Sequence, residues 1–200
     1  MRYVNVGNGK LNTSDKILLV AIDLMAEKGF KTVTTKEIAT AAGISEMTLY
    51  RHFGSKKNLL EQGIDRFHYT WEMQKLFKEK LVWDLQTDLL LISKTYHEVM
   101  SRNGKMFLIT LKERHNLPGI QKKMKNYPQQ LKEMLTDYFT RMQVRGKMIP
   151  TNPETQAMSF IWMNYGAFMT NLIADEPFTD VSMEEFMTTS VALFARGLTP

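Results

Sequence analysis

Apolar residues recur at helical spacing along most of the chain, and no segment of strand length alternates strictly between apolar and polar residues. The first helical pattern begins at Thr13 or Ser14, either of which can cap it, and ends at Gly29. Pro128 is predicted to lie in the first turn of a later helix, and Pro177 to separate the last two. After residue 80 the patterns predict helices over residues 84–102, 105–114, 120–125, 128–145, 153–174 and 182–196. The chain is therefore predicted to be all-α, with about nine or ten helices and short connections.

Residues 34–53, TTKEIATAAGISEMTLYRHF, contain two short helical patterns separated by a three-residue break that starts at Gly43. Thr34 and Glu37 have the spacing of a capping box, which predicts the start of the first helix. Gly43 can adopt the left-handed conformation that ends a helix, and Ser45 is a natural N-cap for the second helix. Two short helices joined by a tight, glycine-containing turn form a helix-turn-helix.

The second of these helices is predicted to have one inward and one outward face. Leu49 and Phe53 lie four residues apart and form the inward face. The outward face then carries side chains suited to a DNA major groove, namely Glu46, Met47, Tyr50 and Arg51. The alternative is an αα-hairpin that does not bind DNA.

A further helix is predicted to begin at the cap Ser55 and to run without interruption to about Lys80. Its first turn carries Lys56 and Lys57. Because cations near a helix N-terminus oppose the helix dipole, two lysines there suggest a partner that supplies negative charge, such as phosphate.

Gly29-Phe30, TTKEIATAAGIS, TLYRHF and SKKNLL together resemble the N-terminal DNA-binding domain of the TetR family of bacterial transcriptional repressors. The resemblance covers Ser14 to Leu60 with continuous spacing. It implies a helix-turn-helix DNA-binding domain over residues 1–60 and a larger helical ligand-binding and dimerisation domain over residues 61–200. It also implies a homodimer that binds a palindromic operator in double-stranded DNA.

Position and the family pattern together assign roles to individual side chains. Thr35 and Lys36, at the start of the first helix of the pair, are expected to contact phosphate or a base edge. Glu46 and Met47 are expected to face bases, and Tyr50 is a third candidate. The expected phosphate contacts are Ser45, Thr48, Tyr50, His52 and Lys56. The family often has a small residue where Met47 stands, so the operator sequence is left open.

The distribution of charge agrees with this assignment. The chain has a formal net charge of +5. Residues 1–60 hold nine Lys/Arg and five Asp/Glu, a net of +4, whereas residues 61–200 hold seventeen and sixteen, a net of +1. Most of the excess therefore lies at the helix-turn-helix end, although a surplus of four does not by itself identify a DNA-binding protein.

The helix predicted near residues 157–172 is apolar nearly all the way round. Two apolar faces can be covered by the protein core and by a second subunit. The pattern resembles the four-helix dimer interface of the TetR family, with the last helix as the second contributor. The predicted interface residues are Phe160, Tyr165, Phe168, Phe186 and Phe194. The alternative is a helix at the centre of its own subunit.

Methionines and aromatic residues are concentrated after the helix-turn-helix. Twelve of the fifteen methionines lie after residue 70. Because methionine adapts its shape and small-molecule pockets are mostly apolar, this composition is typical of a site for a lipophilic ligand. The candidate pocket residues are Trp71, Tyr96, Phe107, Tyr138 and Trp162. An ordinary hydrophobic core is the alternative for each of them.

Other functional classes find little support. The chain has no cysteine, which excludes disulfides and thiolate zinc sites, and it contains no catalytic or phosphate-loop motif. His68 and Glu72 have the spacing of half a metal site, but a polar pair is the simpler interpretation. No enzyme activity, metal, cofactor or membrane span is expected, and a cytoplasmic protein with a flexible arm over its first ten residues is predicted. The chain is therefore predicted to be a sequence-specific DNA-binding repressor that a lipophilic small molecule releases from its operator. The alternative is a DNA-binding activator, or a helical DNA-architecture protein without a small-molecule inducer.

Overall fold

The structure, a computed structural model, describes residues 12–174, Glu176 and residues 179–200. The described part of the chain is α-helical without strands, which confirms the predicted all-α class. The helices are α1 (Thr13–Lys28), α2 (Thr35–Ala41), α3 (Glu46–Phe53), α4 (Lys56–Arg66), α5 (Thr70–Glu79), α6 (Leu85–Arg102), α7 (Gly104–Glu113), α8 (Pro118–Val144), α9 (Pro153–Ile173) and α10 (Met183–Leu198). The predicted N-terminal arm and Pro177 lie outside the described residues.

The helices form two compact units. Unit 1 contains the described residues up to His68 together with Arg102–Lys125, and unit 2 contains Tyr69–Ser101 and the described residues from Asn126 onward. The domain boundary predicted at residue 60 lies inside α4. Within unit 1, α7 packs on both α1 and α4. The first unit is therefore larger than the helix-turn-helix domain over residues 1–60 that the resemblance implied.

Side-chain caps define the ends of the short helices in unit 1. Thr34 and Glu37 form the predicted capping box, in which the Glu37 amide donates to Thr34 Oγ1 at 3.1 Å and the Thr34 amide donates to Glu37 Oε2 at 2.9 Å. Gly43 has a φ of +69°, which matches its predicted place at the end of α2. The cap of α1 is Asn12 instead of Thr13 or Ser14, since the Asp15 amide donates to Asn12 Oδ1 at 2.8 Å.

The core of unit 1 lies where α1, α4 and α7 meet. Gly63 permits a close approach there, because a methyl group at this position would lie 2.8 Å from Met106 Cε and 3.5 Å from Leu18 Cδ2. A partly buried ion pair also joins α1 to α4. Arg66 donates from Nε to Asp15 Oδ1 at 2.9 Å and from its terminal nitrogen to Asp15 Oδ2 at 3.1 Å. Helix α2 packs on α1 and helix α3 packs on α4, so these contacts also fix the position of the helix-turn-helix.

Two helix predictions were wrong. The single helix expected from Ser55 to about Lys80 is interrupted between α4 and α5, and Asn103 Nδ2 donates to the Phe67 carbonyl at 2.6 Å at the interruption. The helices expected over residues 120–125 and 128–145 form one helix, α8, with Pro128 in its interior. Proline removes one backbone hydrogen bond from a helix, and here the neighbouring turns on both sides stay helical.

Unit 2 has an aromatic core built from α5, α6, α8, α9 and α10. The Phe160 and Phe194 rings are 5.6 Å apart, and Phe139 lies 6.4 Å from Phe194. Buried Asp88 closes the turn between α5 and α6, accepting from the amides of Val82 at 2.8 Å and Trp83 at 2.9 Å. No helix in the described ranges has both the length and the apolarity needed to cross a bilayer.

Candidate nucleic-acid interface

Helix α3 has the two faces that the sequence predicts. Leu49 and Phe53 are buried against unit 1, whereas Met47 is 76% exposed and Tyr50 is 66% exposed. Glu46 and Arg51 are exposed as well. Met47 and Tyr50 lie three residues apart on the same exposed face of a helix that follows a tight turn, so this face of α3 is the candidate DNA-contacting surface.

A short hydrogen bond joins the first turn of α2 to the first turn of α3. Thr35 Oγ1 donates to Glu46 Oε1 at 2.5 Å. Thr35 is half-buried and Glu46 is exposed, and the neighbouring Lys36 also faces solvent. The structure thus brings together two residues that the sequence predicted as separate DNA contacts. An ionised carboxylate only accepts hydrogen bonds, so the hydroxyl hydrogen of Thr35 is committed to Glu46.

The phosphate-contact candidates Ser45 and Thr48 form a local pair at the start of α3. The Thr48 amide donates to Ser45 Oγ at 3.1 Å, and the two hydroxyl oxygens are 2.9 Å apart. Ser45 therefore caps the helix as predicted. Each hydroxyl can form more than one hydrogen bond, so the pair can still contact a phosphate.

His52, another phosphate-contact candidate, lies at the end of α3 and contacts α1. Its Nδ1 lies 3.1 Å from Ser14 Oγ, and both side chains are near the surface. The contact orients the ring with one nitrogen toward α1. The phosphate contact predicted for His52 would therefore be made by Nε2.

Lys56 has a structural environment that the sequence did not predict. Its Nζ donates to the carbonyls of Phe30 at 2.6 Å, Lys31 at 3.3 Å and Val33 at 2.5 Å. Burial lowers the pKa of Lys56, and the charges of Glu113 and Glu37 partly oppose that shift. Because an ammonium group has three hydrogens, these carbonyls can use all of them. A phosphate contact by Lys56 would require the loss of one of these bonds.

Lys57 is the exposed cation at the start of α4. The sequence placed both lysines in the first turn but could not distinguish them, because the turn that binds Lys56 lies more than twenty residues earlier in the chain. The structure therefore adds Lys57 to the candidate phosphate contacts.

The five predicted pocket residues do not occupy one common environment. Phe107 is half-buried in unit 1, and the other four belong to unit 2. Trp71 and Trp162 are 67% and 64% exposed, whereas Tyr96 and Tyr138 are buried. The hydroxyl of Tyr138 donates to Asp88 Oδ2 at 3.0 Å, which makes this tyrosine part of the core.

A buried polar cluster in unit 2 was not predicted from the sequence. Ser93 Oγ donates to Asn164 Oδ1 at 2.5 Å, and His97 Nε2 lies 3.2 Å from the same oxygen. Since that oxygen can only accept, Nε2 carries the hydrogen. Burial lowers the pKa of His97, and the hydrogen bond to Asn164 partly opposes this shift. Helical register alone could not show that Ser93, on α6, and Asn164, on α9, would meet.

The predicted interface residues divide into core and surface. Phe160 and Phe168 are buried within their own unit, and their place at a dimer interface stays a prediction. Phe186 and Phe194 are half-buried, and Tyr165 is 37% exposed. The outward apolar positions of α9 follow helical spacing and form what we call the α9 stripe, composed of Trp162, Tyr165, Gly166, Met169 and Ile173.

Comparison with known proteins agrees with the geometry of α2 and α3. Residues 17–62 match the family model for bacterial regulatory proteins of the tetR family. The helix-turn-helix-type transcriptional regulator YvkB of Bacillus subtilis (strain 168), itself uncharacterised, is 28% identical over 186 residues, which cover 93% of this chain and 97% of YvkB. IcaR of Staphylococcus aureus (strain Newman), a negative transcriptional regulator of the biofilm operon icaADBC, is 44% identical over 50 residues, 25% of this chain and 27% of IcaR.

The fold of the whole chain also has solved counterparts. A crystal structure of a transcriptional regulator from Saccharomonospora viridis in complex with choline has a TM-score of 0.75 and 17% sequence identity, covering 94% of this chain and 97% of that one. The proteins named here are transcriptional regulators. Residues 17–62 therefore form a helix-turn-helix domain of the type found in bacterial regulatory proteins of the tetR family.

Proposed function

We propose that this regulator is a dimeric repressor that binds an inverted-repeat operator and is released from it by a small lipophilic ligand. The observation that carries the proposal is the exposed face of α3, where Met47 and Tyr50 extend into solvent from a helix whose other face is buried. The repressive direction is supported by IcaR, a negative regulator. Activation of transcription from the same operator is the alternative.

The proposed DNA contacts are of two kinds. Glu46 and Met47 would contact bases, because they occupy the first exposed turn of α3, the part of a recognition helix that enters the major groove. Hydroxyl, imidazole and ammonium groups around them would contact phosphates and position the helix. This set comprises Lys36, Ser45, Thr48, Tyr50, His52 and Lys57. Met47 suits the C5-methyl group of thymine, which is the apolar feature of the major groove.

A homodimer would present two copies of the exposed α3 face, related by a two-fold axis. The α9 stripe supports such an interface, because it leaves Trp162 and Ile173 more than 60% exposed on a long helix. A two-fold dimer that binds successive major grooves places its recognition helices about 34–36 Å apart and recognises an inverted repeat. The regulator would act in the cytoplasm, where its operator lies.

We place the ligand in unit 2. The support is its methionine and aromatic content, the few buried polar groups around His97, and the choline complex of the Saccharomonospora viridis regulator, which has the same fold. The class we propose is a neutral or cationic lipophilic molecule. Because the chain is interrupted between α4 and α5, a single rigid helix from Lys56 into unit 2 is not the connection between the two sites. Helix α8 has residues in both units and is the better candidate.

The proposal is tested in two steps. Selection from a randomised duplex library should yield an inverted repeat bound by the wild-type protein. Compounds found by thermal-shift screening are then titrated by calorimetry with and without that duplex. A coupling of about 1–3 kcal/mol predicts that operator weakens ligand binding about 5–150-fold, and that ligand weakens operator binding by the same factor.

The two steps fail in different ways. An unenriched library would contradict sequence-specific DNA binding. Equal ligand affinity with and without operator, for every compound found, would contradict ligand release and leave a repressor without an inducer.

A further inference from the structure

We propose that Thr35 is a positioning residue that holds the Glu46 carboxylate in place to accept a hydrogen bond from a cytosine base. The inference rests on the proposed DNA-binding function and deepens it. Its basis is the 2.5 Å hydrogen bond between Thr35 Oγ1 and Glu46 Oε1, which joins the first residues of α2 and α3.

The two residues that form this hydrogen bond each lie at the start of a capped helix. Thr35 follows the Thr34 N-cap and lies within the capping box closed by Glu37. Glu46 follows Ser45, which accepts from the Thr48 amide. Since the two helix starts are capped independently, the bond spans two preorganised points and restricts the long glutamate side chain more than either helix could alone.

The chemistry leaves one carboxylate oxygen for DNA. Thr35 donates to Oε1, and because Glu46 is exposed, Oε2 can accept a hydrogen bond from DNA. Among the base edges in the major groove, the N4 amino group of cytosine is the donor that a carboxylate on a recognition helix accepts from. A carboxylate oxygen has no hydrogen to donate to a phosphate oxygen, which disfavours a phosphate contact by Glu46.

This arrangement changes the role predicted for Thr35. A hydroxyl that binds phosphate would add affinity for every DNA sequence, because phosphates carry no sequence information. A hydroxyl that orients Glu46 would instead contribute to discrimination at one position in each half-site. The two roles therefore predict different outcomes for the same substitution.

The test uses five variants on wild-type background and the duplex obtained by library selection. Thr35→Val removes the hydroxyl and preserves the shape, Thr35→Ser restores a hydroxyl, and Glu46→Ala removes the proposed base contact. The fourth is the double variant Thr35→Val/Glu46→Ala. The fifth, Thr40→Val, is the matched control, since Thr40 is an exposed threonine on the same helix without a proposed DNA contact. Each variant is assayed for binding to the selected duplex and to duplexes substituted at each cytosine, and for its melting temperature.

Thr35→Val should lower discrimination at one cytosine per half-site about fivefold, the equivalent of one hydrogen bond of ~1 kcal/mol. Thr35→Ser should recover most of that discrimination, and Thr40→Val should change nothing. In the Glu46→Ala background, Thr35→Val should have no further effect on base preference, because its action passes through Glu46. Melting temperatures within the range of the Thr40→Val control would exclude a general loss of structure.

Three results would overturn the inference. One is a Thr35→Val variant with unchanged base preference. Another is a uniform loss of affinity for all duplexes, which would make Thr35 a phosphate contact. The third is an equal effect of Thr35→Val with and without Glu46. If the wild-type protein enriches no sequence at all, the proposed function itself fails, and that result is distinct from these three.

Discussion

At the residue scale, the adjacent lysines that begin α4 show how tertiary contacts assign different tasks to identical side chains. Lys56 binds three backbone carbonyls of the turn between α1 and α2, and its Nζ lies 4.7 Å from the centroid of the Phe30 ring. Lys57 is exposed. The first lysine therefore holds the turn that precedes the helix-turn-helix, and the second has its charge available for DNA.

Substitution of each lysine by alanine should separate these tasks. Lys57→Ala should lower the slope of log K against log salt by about one unit without changing the melting temperature. Lys56→Ala should lower the free energy of unfolding by about 1–2 kcal/mol, because the carbonyls lose their shared donor. Denaturant unfolding and salt-dependent DNA binding measure the two effects. If Lys56→Ala had normal stability and a reduced salt slope, Lys56 would be the phosphate contact and this assignment would be contradicted.

The outward face of α3 could be predicted from the sequence, because helical periodicity alone decides which side chains of a capped helix face away from Leu49 and Phe53. The hydrogen bonds that these side chains form with other helices could not be predicted in this way. Thr35 and Glu46 are 11 residues apart, and Ser14 and His52 are 38 apart. Such contacts depend on how α1, α2 and α3 cross, which no local pattern specifies.

At the scale of the helix, the two wrong helix predictions also result from tertiary contacts that local patterns do not specify. No proline marks the interruption between α4 and α5; it is stabilised by the Asn103 amide, which binds the Phe67 carbonyl, and by Tyr69, whose ring lies 5.4 Å from that of Tyr96. Pro128, by contrast, is a strong start signal that the structure overrides. Buried Ile120 and Leu131, on either side of it, show that packing continues through both halves of α8.

The turn between α5 and α6 is held by several contacts to a single residue, Trp83. Trp83 has a φ of +61°, which is uncommon for a bulky residue. Asp88 binds its amide, Lys147 Nζ donates to its carbonyl at 2.6 Å, and the Arg145 guanidinium lies 4.0 Å from the centroid of its ring. The ring also stacks on Tyr138 at 5.9 Å. These contacts offset the backbone strain.

Asp88→Ala should therefore destabilise the protein by roughly 3 kcal/mol or more, because two amides and the Tyr138 hydroxyl lose their acceptor at a buried position. Asp88→Asn, which keeps a side-chain oxygen, should cost less. The control is Asp84→Ala, which removes the exposed cap on the Thr87 amide and should cost about 0.5–2 kcal/mol. Urea unfolding measures all three. Equal losses for Asp88→Ala and Asp84→Ala would contradict the role given to Asp88.

At the scale of the whole molecule, the central requirement of the proposed function is a second copy of the chain. Periodicity correctly showed that α9 is apolar on two sides but could not show which side faces its own core. The structure turns Phe160 and Phe168 inward and leaves the α9 stripe outward. The substitution Phe168→Glu would therefore unfold unit 2, whereas a glutamate substitution within the α9 stripe would test assembly alone.

Trp162→Glu should convert the proposed dimer into a monomer that melts close to the wild-type temperature, because the side chain is 64% exposed and contributes little to the core. Its affinity for an inverted repeat should fall sharply, while its weak affinity for a single half-site should not change. Trp71→Glu is the matched control: this tryptophan is 67% exposed on α5, outside the stripe, and its substitution should leave the dimer intact. Sedimentation velocity at micromolar concentration distinguishes the species. A wild-type monomer would contradict the dimer, and a monomer produced by Trp71→Glu alone would move the interface from α9 to α5.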